Sequence, residues 1–271
     1  MRSITVNINN VDCKLNWTNI PELIKYASLQ IHPFNTDEDI FLKDYENVQS
    51  GFVNRILNFI PELDKTKVKK IISVGSGIGT TELLLLQYFN NAEIFLIDKD
   101  EISRPEIHAA GKCPPEIYRN KIDNPRGFFN SWDVTKDAIQ SSNLDQTKIH
   151  LLDPEDSWPN EVDLIISSYG WCWACVKEVY WDRAMKSLNM GGSLMLDIYR
   201  LLDKDVPAEI SYELGTQPFK EEYFTIKTHP FKSLRKEMKP GEMQPKDYFI
   251  QFFNPDENGV YGGTYSWIRR K

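Results

Sequence analysis

Residues 67–100, KVKKIISVGSGIGTTELLLLQYFNNAEIFLIDKD, decide how this chain folds. An apolar run (Ile71, Ile72, Val74) ends in Gly75-Ser76-Gly77-Ile78-Gly79. Thr80 and Thr81 follow with hydroxyls suited to capping a helix N-terminus, and Glu82 to Phe89 continues as an apolar helix. A second apolar run, Ile94 to Ile97, closes at Asp98. Strand, glycine loop, helix, strand and acid form a unit that places a nucleotide-like ligand across the carboxyl ends of two parallel strands.

The glycine spacing narrows the ligand. Glycine turns with positive φ and lets a ligand approach without a Cβ in the way. A dinucleotide site wants G-x-G-x-x-G, with the helix N-terminus facing a pyrophosphate. Here the third glycine falls two residues after the second, and position 80 is Thr. G-x-G-x-G followed by an acid at the end of the next strand resembles the class I S-adenosylmethionine (SAM)-dependent methyltransferases. The resemblance implies a seven-stranded, Rossmann-like α/β sheet with helices on both faces, and SAM as the cofactor. It implies that Gly75, Ser76, Gly77 and Gly79 form the loop against the methionine and ribose, and that Asp98, with Lys99 beside it, takes the ribose hydroxyls. The alternative for Asp98 is a strand-end acid that caps the next helix.

The chain has 271 residues, enough for one large domain or one domain with an added segment, and for a sizeable core. Its net charge of -7 argues against a mainly electrostatic nucleic-acid binder. Basic runs at Lys65–Lys70, Lys232–Lys239 and Arg269–Lys271 read as solvated faces. No segment has the length of a membrane span, and the N-terminus lacks an apolar signal core. Four cysteines make no disulfide framework. The expectation is a cytoplasmic protein whose partner is a small-molecule substrate, with no nucleic acid, membrane or metal.

Ile4 to Ile8 and Val11 to Trp17 alternate apolar and polar around Asn9-Asn10, which predicts a hairpin. Ile20 to Leu29 reads as a helix with Pro21 in its first turn. Between Asp37 and Pro61, Phe41, Tyr45, Val48, Phe52, Ile56 and Ile60 recur at helical steps, giving one helix or two. Residues 1–65 thus form an addition before a methyltransferase domain at 66–271. It is expected either to cover the substrate side as a lid or to pack one face of the sheet.

Lys99 to Gly127 is rich in Pro and charge, and a connection of that length is often functional. It carries His108, Tyr118 and Arg126 as substrate-facing candidates. Phe128 to Ile139 reads as a helix. Ile149 to Leu152 is a short strand ending at Asp153, and Val162 to Ser167 is the next. Trp181 to Leu188 is a helix, Met190-Gly191-Gly192 a turn, and Ser193 to Ile198 a further strand. This alternation predicts a parallel sheet. A helix is expected near Ala208–Leu214. Three strand-like runs follow, at Tyr223–Thr228, Tyr248–Phe253 and Thr264–Arg269, and the last two are expected to form an antiparallel edge hairpin.

By the same resemblance, Asp153 and Pro154 follow the third strand, where a polar side chain meets the adenine amino group, with Glu155 as competitor. Ser167, Ser168 and Tyr169 follow from the fourth strand toward the methionine end and the substrate. More narrowly, DKDEISRPEIH (98–108), FFNSWD (128–133) and SSYGWCWAC (167–175) resemble sequences grouped as sugar O-methyltransferases. Those carry S-W-x-F-H-Y after the fourth strand. Here the His position is Ala174, so this chain uses another group as base or none. His108 is the candidate base, Tyr169 the second candidate catalytic residue. Tyr169, Trp171 and Trp173 are candidates to stack on a sugar or ring, while Asp197, Tyr199 and Arg200 are candidate acceptor-pocket residues. His150, inside an apolar strand, is expected in the core.

Four rivals stand beside methyl transfer from SAM to an oxygen of a hydroxylated metabolite. W-C-W-A-C at 171–175 matches a redox W-C-x-x-C before a helix, but such a unit needs no glycine loop or Asp98. Zinc at Cys172 and Cys175 lacks two further ligands. An NAD(P)-dependent oxidoreductase is opposed by the shifted third glycine. A protein that binds SAM without catalysis is the remaining alternative, favoured by Ala174.

Overall fold

The chain opens with the antiparallel hairpin β1 (Arg2–Ile8) and β2 (Val11–Trp17). Asn9 and Asn10 both adopt positive φ, 48° and 66°, the pair of left-handed residues that a two-residue turn needs to match strand twist. Ile4, Val6, Ile8, Cys13, Leu15 and Trp17 all fall on the buried face. The computed structural model describes residues 2–31, 34–59, 64–102, 130–167, 178–199, 224–233 and 261–270.

Helix α1 (Ile20–Gln30) starts where the Asn19 side chain accepts the Glu22 N–H at 3.2 Å. Helix α2 (Glu38–Phe59) is one continuous helix, begun by Asp37, whose carboxylate accepts the Asp39 and Ile40 N–H groups. Phe41, Tyr45, Val48, Phe52 and Ile56 are buried along it as the periodicity predicts, together with Val53. Ile60 lies outside the described residues.

Seven strands form the main sheet: β3 (Lys70–Val74), β4 (Glu93–Ile97), β5 (Ile149–Leu152), β6 (Val162–Ser167), β7 (Leu188–Tyr199), β8 (Phe224–Ser233) and β9 (Tyr261–Arg270). Their order is β5-β4-β3-β6-β7-β9-β8. The first five are parallel, while β9 pairs antiparallel with both β7 and β8. The edge hairpin is therefore made by residues 224–233 and 261–270, not by the last two runs. Ladder bonds from Ser193–Tyr199 to Gly263–Arg269 put β9 inside the sheet, with the earlier run outermost. Tyr248–Phe253 and Ala208–Leu214 lie outside the described residues.

Among the described residues, helices α3 (Thr80–Tyr88), α4 (Trp132–Ser141) and α5 (Glu178–Ser187) follow, with one 3-10 turn at Gln146–Lys148. Several boundaries differ from expectation, these two among them. Helix α4 begins at Trp132 rather than Phe128. Strand β7 begins at Leu188, directly after α5, so Gly191 and Gly192 lie in the strand rather than in a turn. The β6–β7 register shifts between Val162 and Leu164, and a Cβ on Gly192 would stand 2.9 Å from the Asn189 carbonyl. Glycine permits that close backbone approach.

The strands are apolar on both faces, as a covered parallel sheet requires. Ile71, Ile94, Leu96, Leu164, Ile166 and Met195 face one core shared with the hairpin and α1–α4. Ile72, Val74, Ile97, Val162, Ile165 and Leu194 face a second core with Tyr180 and Ala184 of α5. Each fully buried side chain of this size contributes about 1.5–3 kcal/mol. Helix α3 is buried almost all round, because the sheet and the N-terminal segment enclose it. The free edge of β2 is tied down by side chains: Lys14 exchanges two hydrogen bonds with Gln87, and the Asn16 N–H donates to Ser142 Oγ. Asp137 of α4 accepts from Thr18 N, Thr18 Oγ1 and Asn19 N. No described helix is long and apolar enough to cross a membrane.

Candidate functional site

Strand order reverses between β3 and β6: from β3 the chain winds outward to β4 and β5, then returns to β6 and runs the other way. The carboxyl ends at such a switch point open a crevice for a ligand. The Ser167 hydroxyl bridges it, donating to the Val74 carbonyl at 2.7 Å. The glycine loop leaves β3 at this point.

All three loop glycines have positive φ: Gly75 71°, Gly77 56° and Gly79 69°. Their reasons differ. Gly75 turns back so that its N–H donates to the Ile97 carbonyl at 2.8 Å, pinning the loop to β4. Gly79 caps α3, and a Cβ there would meet Leu96 Cδ1 at 2.8 Å. Gly77 is covered by Gln30, whose carboxamide lies 2.6 Å from where a Cβ would stand. With Gly79 in the cap position, Thr80 and Thr81 are not caps. The Thr80 hydroxyl instead accepts from Tyr45 at 2.8 Å, and Thr81 Oγ1 donates to Gln49 at 2.7 Å. Ser76 Oγ is buried with no hydrogen-bond partner.

Asp98 stands across the loop, only 8% exposed. One oxygen accepts the Gly77 N–H at 2.7 Å and the other the Lys99 N–H at 2.8 Å. Burial pushes its carboxyl up to about 6; the two N–H donors oppose that rise, and the Asp153 charge adds to it. Asp100, two residues on, has its Oδ1 accept the Trp132 N–H at 2.8 Å, at the start of the next described helix. Beneath the loop, Glu82 is buried and accepts from Ser73 Oγ at 2.7 Å. Burial first, then the Asp98 charge, raises it to about 7.

Asp153 follows β5 at the same edge of the sheet. It is exposed, and its carboxylate is folded back onto the Glu155 N–H at 3.0 Å. Pro154 is buried and its carbonyl accepts from the Arg183 guanidinium. Asp163, by contrast, ties the opposite end of the sheet, accepting from Lys69 N, Lys70 N and Asn189 Nδ2. His150 is not in the core: it stacks on Phe95 with ring centroids 4.3 Å apart, Nε2 3.6 Å from Glu93. Asp197 and Tyr199 lie on the carboxyl half of β7. His108, Tyr118, Arg126, Ser168, Tyr169, Trp171, Cys172, Trp173, Ala174, Cys175 and Arg200 lie outside the described residues. No cluster of metal-ligating side chains occurs among the described residues.

Three features were not foreseen from sequence. Glu82 adds a second buried carboxyl below the loop; its place in the first turn of an apolar helix was the available signal. Asn130, within FFNSWD, is 1% exposed with both amide atoms unpartnered, and its N–H holds the Glu101 carbonyl just beyond Asp98. Gln30 reaches the loop from the N-terminal segment, and no spacing in the sequence announces that contact.

No protein-family model matches the chain, and no curated protein matches it. Solved structures do. The O-MT region of StiE (residues 961–1257) superposes with a TM-score of 0.51 at 11% identity, covering 90% of this chain and 81% of that one. MccD protein gives 0.46 at 10% identity over 81% and 96% of the two chains. The fibrillarin/Nop5p complex gives 0.44 at 13% over 77% and 75%. Five parallel strands reversing at β3/β6, a glycine loop at the reversal and an antiparallel β8–β9 edge complete the pattern: this chain has the class I methyltransferase fold.

Proposed function

We propose that the chain binds SAM across the β3/β6 switch point and transfers its methyl group to an oxygen of a small hydroxylated metabolite. One observation carries the reading: the Asp98 carboxylate is fixed by Gly77 and Lys99 N–H groups at the mouth of a loop whose glycines all have positive φ. A carboxylate has about four acceptor sites. Two are used by the backbone, which leaves capacity for a pair of ribose hydroxyls. The five-residue G-x-G-x-G turn suits a nucleoside that carries no pyrophosphate.

SAM supplies a methyl on a positively charged sulfur, so the chemistry is an in-line displacement already activated by the leaving group. The chain's task is alignment and proximity. Gly75, Ser76, Gly77 and Gly79 shape the loop, Asp98 orients the ribose, and the β5 end at Asp153 and Pro154 borders the adenine. Ser167 and Ser168 border the methionine end. An alcohol acceptor also loses a proton, for which a base of near-neutral pKa supplies roughly 10²–10⁴-fold. We assign that role to His108, with Tyr169 lining the acceptor.

Calorimetry with SAM, S-adenosylhomocysteine and NAD tests the cofactor. Binding of the first two and not the third is expected; the reverse makes the chain a dinucleotide enzyme. Labelled-methyl transfer to a panel of sugars and phenols tests catalysis. Ala174 in the family's His position favours the second reading, a SAM-binding protein without turnover, and binding with no transfer to any acceptor selects it.

A further inference from the structure

We infer that Gln30, at the end of α1, is a ligand-positioning residue that hydrogen-bonds the amino-acid end of the bound nucleoside. This rests on the SAM reading above and extends it to a segment outside the sheet.

The geometry of Gln30 is specific. Its carboxamide lies against Gly77, with Nε2 and Oε1 each 2.6 Å from the place of a Cβ, and Oε1 faces the Ile78 N–H at 3.5 Å. A polar head group is thus held over the one loop residue that also donates to Asp98. The segment that carries it is fixed. Asn19 starts α1, and Asp137 holds the residues before it through three bonds. Helix α2 is joined to the first turn of α3 through Tyr45–Thr80 and Gln49–Thr81. Gln30 is therefore carried by α1, which packs on α2, and α2 packs in turn against the loop's own helix.

Sheet order says which part of the ligand reaches it. Running from β5 through β4 to β3, the crevice passes Asp153, then Asp98, then the glycine loop. A nucleoside with its ribose at Asp98 and its base toward β5 directs its 5′ substituent onto the loop, under Gln30. In SAM that substituent ends in an amino acid with both a carboxylate and an ammonium. A carboxamide offers a donor to the first and an acceptor to the second.

The test compares two probes on the full chain: S-adenosylhomocysteine, which has the amino-acid end, and 5′-methylthioadenosine, which lacks it. Calorimetry on wild type, Gln30→Ala and Gln30→Leu is expected to show about tenfold weaker S-adenosylhomocysteine binding in both variants, since a hydrogen bond to a charged group is lost. Binding of 5′-methylthioadenosine should stay within about twofold in both. Gln30→Leu preserves the bulk against Gly77, so full retention of S-adenosylhomocysteine affinity by that variant overturns the inference in favour of packing. Equal losses for both probes overturn it in favour of loop support, and tighter binding in Gln30→Ala shows a plug rather than a contact. If wild type binds neither probe, the SAM reading itself has failed, an outcome distinct from these.

Discussion

Acid should loosen the grip of this protein on its nucleoside, through Asp98. Its carboxyl is raised to about 6 by burial and by Asp153, yet in the proposed role it must be ionised to accept from two ribose hydroxyls while keeping its bonds to Gly77 and Lys99. With that value, about nine-tenths of the molecules carry a protonated Asp98 at pH 5 and about one in a hundred at pH 8. Affinity for S-adenosylhomocysteine is therefore expected to be roughly tenfold weaker at pH 5 than at pH 8, falling about a decade per unit below 6. Asp98→Ala should weaken binding more than about tenfold at pH 8, because a charge-assisted acceptor is lost. Asp98→Asn should bind weakly and with a flat profile. Glu82 is the other buried acid nearby and titrates at about 7. Calorimetric titrations at half-unit steps from pH 5 to 8 decide the matter. Equal affinity at both ends, or a slope that survives in Asp98→Asn, refutes the role given to this carboxylate.

Glu82 gives a stability signature of the opposite utility. Its folded value lies above its unfolded one, so the stabilisation is complete below about pH 4.5 and disappears as pH rises through about 7. The loss is on the order of 3 kcal/mol, so Glu82→Gln should raise Tm by about 6 °C or more at pH 8 and little at pH 5; equal shifts at both, by scanning calorimetry, contradict this. Gly77→Val places a β-branched residue at φ 56° and displaces Gln30, and binding of S-adenosylhomocysteine is expected to vanish while circular dichroism stays native; an unchanged Kd contradicts it. Asp137→Ala removes the acceptor for three bonds to the chain before α1, and a loss of about 1–3 kcal/mol in urea unfolding is expected. A midpoint within error of wild type would show those ties to be idle.

Much of the fold was legible because its signals are local. The run Ile71–Val74, the three glycines and Ile94–Ile97 specify strand, turn and strand without reference to anything distant. Asn9-Asn10 does the same for the hairpin. What sequence misplaced depends on contacts across the chain. Thr80 and Thr81 have capping hydroxyls, but Gly79 takes the cap, with a left-handed φ and no Cβ to meet Leu96, which frees both hydroxyls for Tyr45 and Gln49. Gly191-Gly192 reads as a turn by composition, yet a crowded approach to β6 keeps it in a strand. His150 looks like a core residue in an apolar run, but β5 is an edge strand, so its ring rests on Phe95 at the rim. The placing of Asp98 beside the glycine loop was legible from strand end plus acid. Gln30 was not, because 47 positions separate it from Gly77 and only the packing of α1 joins them.

The place of β9 has a consequence for biosynthesis. It lies between β7 and β8, so β7 keeps an unpaired backbone edge until residues 261–270 have left the ribosome. A nascent chain stalled before that point offers unpaired backbone to its neighbours. Premature termination ahead of 261 should therefore yield insoluble product rather than a working fragment, checked by expressing the chain with a stop codon before Tyr261.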